Sequence, residues 1–252
     1  MLIAYAALLG LVVGSFLNVV IYRLPRGTSI VLPRSACPYC RGSVRARDNI
    51  PVLSYFILRG QCRRCTAPIS IRYPLVELGT ALLFALCAWR FGWSWETPAM
   101  ALLSALLLVL ALIDLDHFLL PDSLTLPGIV AGLALQPWLP RVDIAAALLG
   151  VVGGAGILIL IVNFWYWLRG EEGMGLGDVN MLAMVGAFLG WQGAAVTLVA
   201  ATIAGALTGL VLIAGRRLGA RSRLPFGVFL SLGALVAAFF GERLTDFYVG
   251  LL

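Results

Sequence analysis

The sequence predicts an all-α polytopic membrane protein of about eight transmembrane helices with one small polar loop domain, and three observations predict it. Hydrophobic residues fill 61% of the 252 positions and charged residues only 12%, a balance that a water-soluble globule cannot arrange around a core. The apolar residues come in runs of about 17–25, the length that crosses a hydrocarbon layer of roughly 30 Å. The polar residues gather in one early segment that also holds four of the five cysteines.

Candidate spans lie near 2–22, 75–92, 98–115, 123–139, 144–168, 178–190, 192–215 and 225–247. The first lacks a basic start and a small-residue cleavage site, so it reads as a retained helix. The run 178–190 covers only about 20 Å at the rise of an α-helix. It therefore reads as a helix that begins inside the membrane after the irregular stretch Gly173-Met174-Gly175-Leu176-Gly177. Irregular backbone at that depth is tolerated only where protein buries it or water reaches it, so a wet cleft is expected there. The chain divides into a first transmembrane helix (1–22), a cytoplasmic four-cysteine loop domain (23–74) and a transmembrane core (75–252).

Charge fixes the expected orientation. The 18 cationic residues are all arginine, and the net charge is +6. Ten of them, with one acid, lie in 23–72. Eight spans put that segment on the same side as 117–122, 169–177 and 216–224, the last carrying Arg216, Arg217, Arg221 and Arg223. Only Arg90, Arg141 and Arg243 fall on the other side. The positive-inside rule makes the arginine-rich side cytoplasmic and places both termini outside. The excess charge is thus a topology signal for a chain whose partner is the lipid bilayer, and a nucleic-acid partner is not expected.

The segment 23–74 has too little apolar content for a core and needs a staple. Cys37-Pro38-Tyr39-Cys40 and Cys62-Arg63-Arg64-Cys65 supply it: two C-x-x-C knuckles separated by twenty-one residues make a four-thiolate zinc site. Disulfides are disfavoured in a reducing compartment. A site with four protein ligands is closed, so Cys37, Cys40, Cys62 and Cys65 should hold a structural zinc. Cys87, alone within a span, reads as a small packing residue.

Carboxylates at the ends of apolar runs are costly and point to function. Asp114 ends the run from Ala101 to Ile113, and Asp178 opens the helix that follows Gly177, a residue that permits close approach of another backbone. Asp116 and His117 belong to a solvated turn, and Asp122 after Pro121 fits helix-entry chemistry. Two aspartates brought together can share one proton and activate water against a peptide carbonyl. Taken on its own helix, Asp178 lies at an N-terminus, which favours the carboxylate, and Asp114 near a C-terminus, which favours the acid.

The chain resembles the bacterial type IV prepilin peptidases, membrane aspartic proteases of type IV pilus and type II secretion systems. The resemblance rests on Gly14-Ser15-Phe16-Leu17-Asn18, the two cysteine knuckles, Asn49-Ile50-Pro51-Val52-Leu53-Ser54-Tyr55 and Arg72-Tyr73-Pro74-Leu75-Val76-Glu77. It continues through Ile113-Asp114-Leu115-Asp116-His117 with Leu120-Pro121-Asp122, the stretch from Gly173 to Asp178, and Pro225-Phe226-Gly227. It implies cleavage of a short basic leader from prepilins or pseudopilins at the cytoplasmic face of the bacterial inner membrane, with Asp114 and Asp178 as the catalytic pair. Members with the cysteine loop commonly also methylate the new N-terminus using S-adenosylmethionine, for which the sequence offers no binding residues. Two positions depart from the family pattern: Asn180 stands where lysine is frequent, and Val228 where proline is frequent. The readings that compete are another Gly-x-Gly-Asp intramembrane protease, a cation- or proton-coupled transporter using the same acids, and a thiol redox protein.

Overall fold

A computed structural model describes residues 1–170, 175–215 and 224–249. Gly173, Met174, Arg216, Arg217, Arg221 and Arg223 lie outside the described residues. Among the described residues there is no strand, only the isolated antiparallel bridges Ala36 with Ser43 and Gln61 with Pro68. The described helices are α1 (Leu2–Arg23), α2 (Leu53–Ile57), α3 (Arg72–Phe91), α4 (Glu96–His117), α5 (Asp122–Leu135), α6 (Ile144–Arg169), α7 (Leu176–Ala214) and α8 (Phe226–Val249).

Helices α1, α3, α4, α6 and α7 are long and apolar enough to cross a membrane. Helix α5 has 14 residues, and the apolar part of α8 is Phe226–Gly241. Every expected run falls on a helix, but 178–190 and 192–215 share α7, so five spans meet the length criterion where eight are expected. The division between those two runs survives as a break. Gly190 has φ 69° and ψ −176°, a region that only glycine occupies at low cost. As one straight rod α7 would measure about 58 Å; the break leaves segments of about 21 and 36 Å.

The chain forms two compact units, Met1–Ala105 and Leu106–Leu252. In the first, α1 lies on α3 through Gly10 and Gly14, a small-xxx-small spacing that lets helix backbones meet. A Cβ on Gly10 would stand 2.6 Å from Ala81 Cα, and one on Gly14 2.7 Å from Glu77 Cα. Asn18 Nδ2 donates to the Tyr73 carbonyl at 3.1 Å. Cys87 is fully buried with its sulfur 3.8 Å from the Ser104 hydroxyl, the packing role expected. Between the two helices, only Ser54 of residues 27–71 is buried, so the segment has no apolar core of its own.

In the second unit the first segment of α7 is the core, with Val179 and every residue from Met181 to Phe188 buried. Its neighbours meet it at glycines. A Cβ on Gly150 of α6 would stand 2.6 Å from the Gly186 carbonyl, and one on Gly132 of α5 2.8 Å from the Phe188 ring. Near the break, Gln136 Nε2 donates to the Ala187 carbonyl at 2.6 Å, giving that carbonyl a partner where the helix is interrupted.

Candidate active site and metal centre

The loop of the first unit is built from two copies of one turn. In the first, Cys37 N–H donates to Gly42 O at 2.9 Å and Arg41 N–H to Cys37 O at 2.9 Å. In the second, Cys62 N–H donates to Ala67 O at 2.8 Å and Thr66 N–H to Cys62 O at 2.9 Å. Each turn closes through a residue with positive φ, Arg41 at 54° and Thr66 at 56°, and each is flanked by one of the bridges. The repetition points both cysteine pairs at a common centre. All four sulfurs lie within 4.8 Å of one another, and Cys37 and Cys65 are 3.8 Å apart.

A tetrahedron of sulfurs about 2.3 Å from a central ion has edges of about 3.8 Å, so the cluster has the dimensions of a four-thiolate metal site. A disulfide, at about 2.05 Å, is not what these positions form. The N–H groups of Arg64 and Cys65 pull the Cys62 thiol down to about 6. Against the pull of the Ala67 N–H, desolvation and the sulfurs of Cys40, Cys62 and Cys37 push Cys65 up to about 11. Four thiolates this close repel one another, and a divalent cation is what removes the repulsion. Arg63 clasps the loop from outside, its Nε and Nη2 donating to Asp48 at 2.7 to 3.0 Å; this guanidinium holds the Asp48 carboxyl below its ordinary value.

The second unit brings three helix ends together. Asp114, in the last turn of α4, is 5% exposed. Its Oδ2 accepts from the Val228 N–H at 3.3 Å, one of the first-turn donors that a helix cannot satisfy itself. Asp114 thus lies at the C-terminal end of its own helix and at the N-terminal end of α8, which the helix-by-helix reading of the sequence did not include. A proline at 228 would carry no N–H, so this bond belongs to the residue that departs from the family pattern.

Asp178 is 9% exposed, and its Oδ1 is buried with no hydrogen-bond partner. It is not a plain N-cap. Gly175 is the cap residue, α7 begins at Leu176, and Asp178 sits within the first turn, where its N–H donates to Gly175 O at 3.2 Å. The carboxyls of Asp114 and Asp178 lie within electrostatic reach of one another.

Glycines make this convergence possible, as expected of Gly177. A Cβ there would stand 2.7 Å from Leu120 Cβ, and one on Gly227 2.9 Å from both Asp114 Oδ2 and the Leu120 side chain. Leu120, buried at 8% exposure, therefore packs between the glycine before Asp178 and the glycine beside Asp114. Sequence reasoning passed over it, although Leu120-Pro121-Asp122 was in view; both glycines it meets are more than fifty positions away, so no local signal marked it. The turn that carries it passes through Phe118 at φ 52°, a costly conformation for a bulky residue. Asp116 and His117 are exposed, as expected, but they close α4 and do not form a turn beyond it. Asp122 opens α5 as helix-entry chemistry predicts, in the first turn and not as the cap, which is Pro121; its Oδ1 accepts from Asn180 Nδ2 at 2.8 Å.

Fold and site together define a polytopic helical membrane protein with paired buried aspartates and a four-cysteine centre. Residues 8–91 match the bacterial peptidase A24 N-terminal domain, and residues 101–210 match the type IV leader peptidase family. The chain is 40% identical to a prepilin leader peptidase/N-methyltransferase of Stutzerimonas stutzeri over 97% of its length and 92% of the relative's. It is 40% identical to the protein of that name in Pseudomonas aeruginosa, over 96% and 91%, and 41% identical to that of Burkholderia pseudomallei, over 99% and 88%. The chain belongs to the type IV leader peptidase family. No solved structure matches it.

Proposed function

We propose that this protein is a multi-pass inner-membrane aspartic endopeptidase that removes the short basic leader from type IV prepilins or type II secretion pseudopilins, and that it also methylates the new N-terminus. The family and the names of its relatives support both activities. The observation that carries the peptidase reading is that two nine-tenths-buried carboxyls, sixty-four positions apart in sequence, are brought to helix ends that pack on the same Leu120, with one oxygen of Asp178 left without a partner. A membrane-embedded helix end bears such a group at a cost that function explains.

In the proposed chemistry a water between Asp114 and Asp178 attacks the scissile carbonyl. Asp114, already held as an acceptor by the Val228 N–H, takes the water's proton as general base. Asp178 donates a proton to the carbonyl oxygen, so the bond to water forms as the carbonyl opens. Proton return to the leaving nitrogen breaks the peptide bond and resets the pair, whose titration belongs to both groups together. This assignment reverses the one drawn from each helix alone: both carboxyls lie at helix N-termini, but Asp114 accepts an N–H of α8 while Asp178 Oδ1 has no partner. Leu120, between the two glycines, keeps the site's wall apolar.

The metal held by Cys37, Cys40, Cys62 and Cys65 is proposed to be zinc in a structural role: four thiolates close the coordination sphere, and metal binding supplies folding energy to a loop with one buried residue. S-adenosylmethionine would supply the methyl group. The described residues contain no strand and hence no βαβ nucleotide-binding unit, so any site for it here is of another kind. The arginine-rich loop is proposed to face the cytoplasm, making 23–74 a cytoplasmic domain between the first helix and the peptidase core. Incubating the purified protein with a basic-leader prepilin, with and without S-adenosylmethionine, tests both activities by mass spectrometry. A trimmed product, heavier by one methyl group only when the donor is present, is the expected result; an intact prepilin would overturn the reading.

A further inference from the structure

One motif of the sequence is not absorbed by either centre. In Asn49-Ile50-Pro51-Val52-Leu53-Ser54-Tyr55 the backbone makes a three-residue turn at Val52, with φ 61° and ψ −52° and the Leu53 N–H donating to Pro51 O at 2.6 Å. This is the rare, strained form of the γ-turn. A β-branched residue is among the worst suited to positive φ. Such a conformation persists only where its surroundings impose it.

What imposes it is a carboxylate from a membrane-spanning helix. Glu77 of α3 is 93% buried, the complement of its 7% exposure. Its Oε2 accepts the Val52 N–H at 2.7 Å. Gly14 of α1 is packed on the Glu77 backbone so closely that a Cβ would stand 2.7 Å away, which leaves Glu77 little freedom. Ser54, the loop's one buried residue, fastens the next turn by donating to Ile50 O at 2.7 Å. Helix α2 follows directly, and after it the second cysteine knuckle.

We propose that Glu77 is a positioning residue for methyl transfer: its carboxylate latches the strained Val52 turn to the α1–α3 pair and so sets the placement of the four-cysteine loop. The proposal rests on the methylation proposed above and on the resemblance, in which the members that methylate carry this cysteine loop. An isolated strained turn would relax to negative φ. The hydrogen bond that the Val52 N–H donates to this fixed, buried oxygen is what holds it. The latch acts through backbone geometry and touches no metal ligand, so it separates loop placement from metal retention.

The test uses full-length, metal-loaded protein in detergent. Glu77→Leu should make the loop more sensitive to trypsin and slow methylation by about tenfold or more relative to cleavage, with the metal retained. Glu77→Gln, whose amide oxygen can still accept from Val52, should stay within about threefold of the parent. The decisive variant is the double change Glu77→Leu with Val52→Gly. Glycine takes positive φ without cost, so loop protection and methylation should return, which a general packing role for Glu77 does not predict. Failure of rescue, with Val52→Gly alone active, would overturn the latch. If Glu77→Leu does not accumulate, hydrogen exchange at the Val52 amide of the parent protein decides: protection supports the latch, and exchange at the rate of an open loop refutes it. A parent that cleaves but never methylates would sink the methylation reading, while protease protection and Val52 exchange would still report on the latch.

Discussion

The four-cysteine centre is assembled from two segments that repeat one another turn for turn, whereas the aspartate site is assembled from three helix ends that share no local pattern. In the two cysteine turns, backbone hydrogen bonds join residues nine or fewer positions apart, and spacing aims the sulfurs. In the second unit, the bond from Val228 to Asp114 spans 114 positions and that from Asn180 to Asp122 spans 58. There, backbone approach at glycine does what spacing does in the loop. The first kind of site should fail as a unit when its ion is lost. The second should fail by displacement, when any surface between the helices gains an atom.

The largest displacement effect is expected at Gly177. A valine there drives its Cβ onto Leu120, which stands 2.7 Å from that position, and moves Asp178 away from Asp114. Cleavage should fall about a hundredfold, the scale of an ångström-sized misplacement, while the four-cysteine loop keeps its metal. Elemental analysis and single-turnover assay on one preparation check both halves of this statement.

Cys37→Ser breaks the comparison from the other side. Loss of one thiolate from a closed site should release the metal and open the loop to trypsin. Methylation should be lost and cleavage retained to within a few fold. A loop that stays ordered and active without metal would show that the repeat alone stabilises it.

Smaller effects sharpen the picture. Val228→Pro removes the N–H that meets Asp114 but leaves a residue that the first turn of a helix accepts, so cleavage should fall by only about threefold with no loss of folded protein. The smallest effect concerns pH in the loop. Arg63 holds the Asp48 carboxyl below its ordinary value, so the ion pair stabilises the loop above about pH 4, and this stabilisation is lost as the pH falls through the lowered value. Arg63→Ala should remove that acid-side change in protease sensitivity and leave neutral behaviour nearly unaltered.

The same contrast explains how much could be read from the sequence. The knuckles were legible because their chemistry lies within ten residues at a time and thiolate spacing has few other uses. Asp114, Asp178 and Gly177 were legible as costs, since charge at the end of an apolar run and glycine before a helix both demand a reason. Leu120, the Val228 N–H and the Glu77 latch were not, because each acquires its role from a residue at least twenty-five positions away. The break at Gly190 was legible as a boundary between two runs. That one helix continues through it was not, since apolar composition does not distinguish a kink from a loop.

The central claim is that Asp114 and Asp178 together cut the leader. The measurement is single-turnover cleavage of a basic-leader prepilin by Asp114→Asn, Asp178→Asn and Asp116→Asn in matched detergent, with folding checked by helicity and metal content. The account predicts no cleavage from either of the first two, each folded as the parent, and substantial cleavage from Asp116→Asn. Robust cleavage by Asp114→Asn or Asp178→Asn, or an inactive but folded Asp116→Asn, would contradict it.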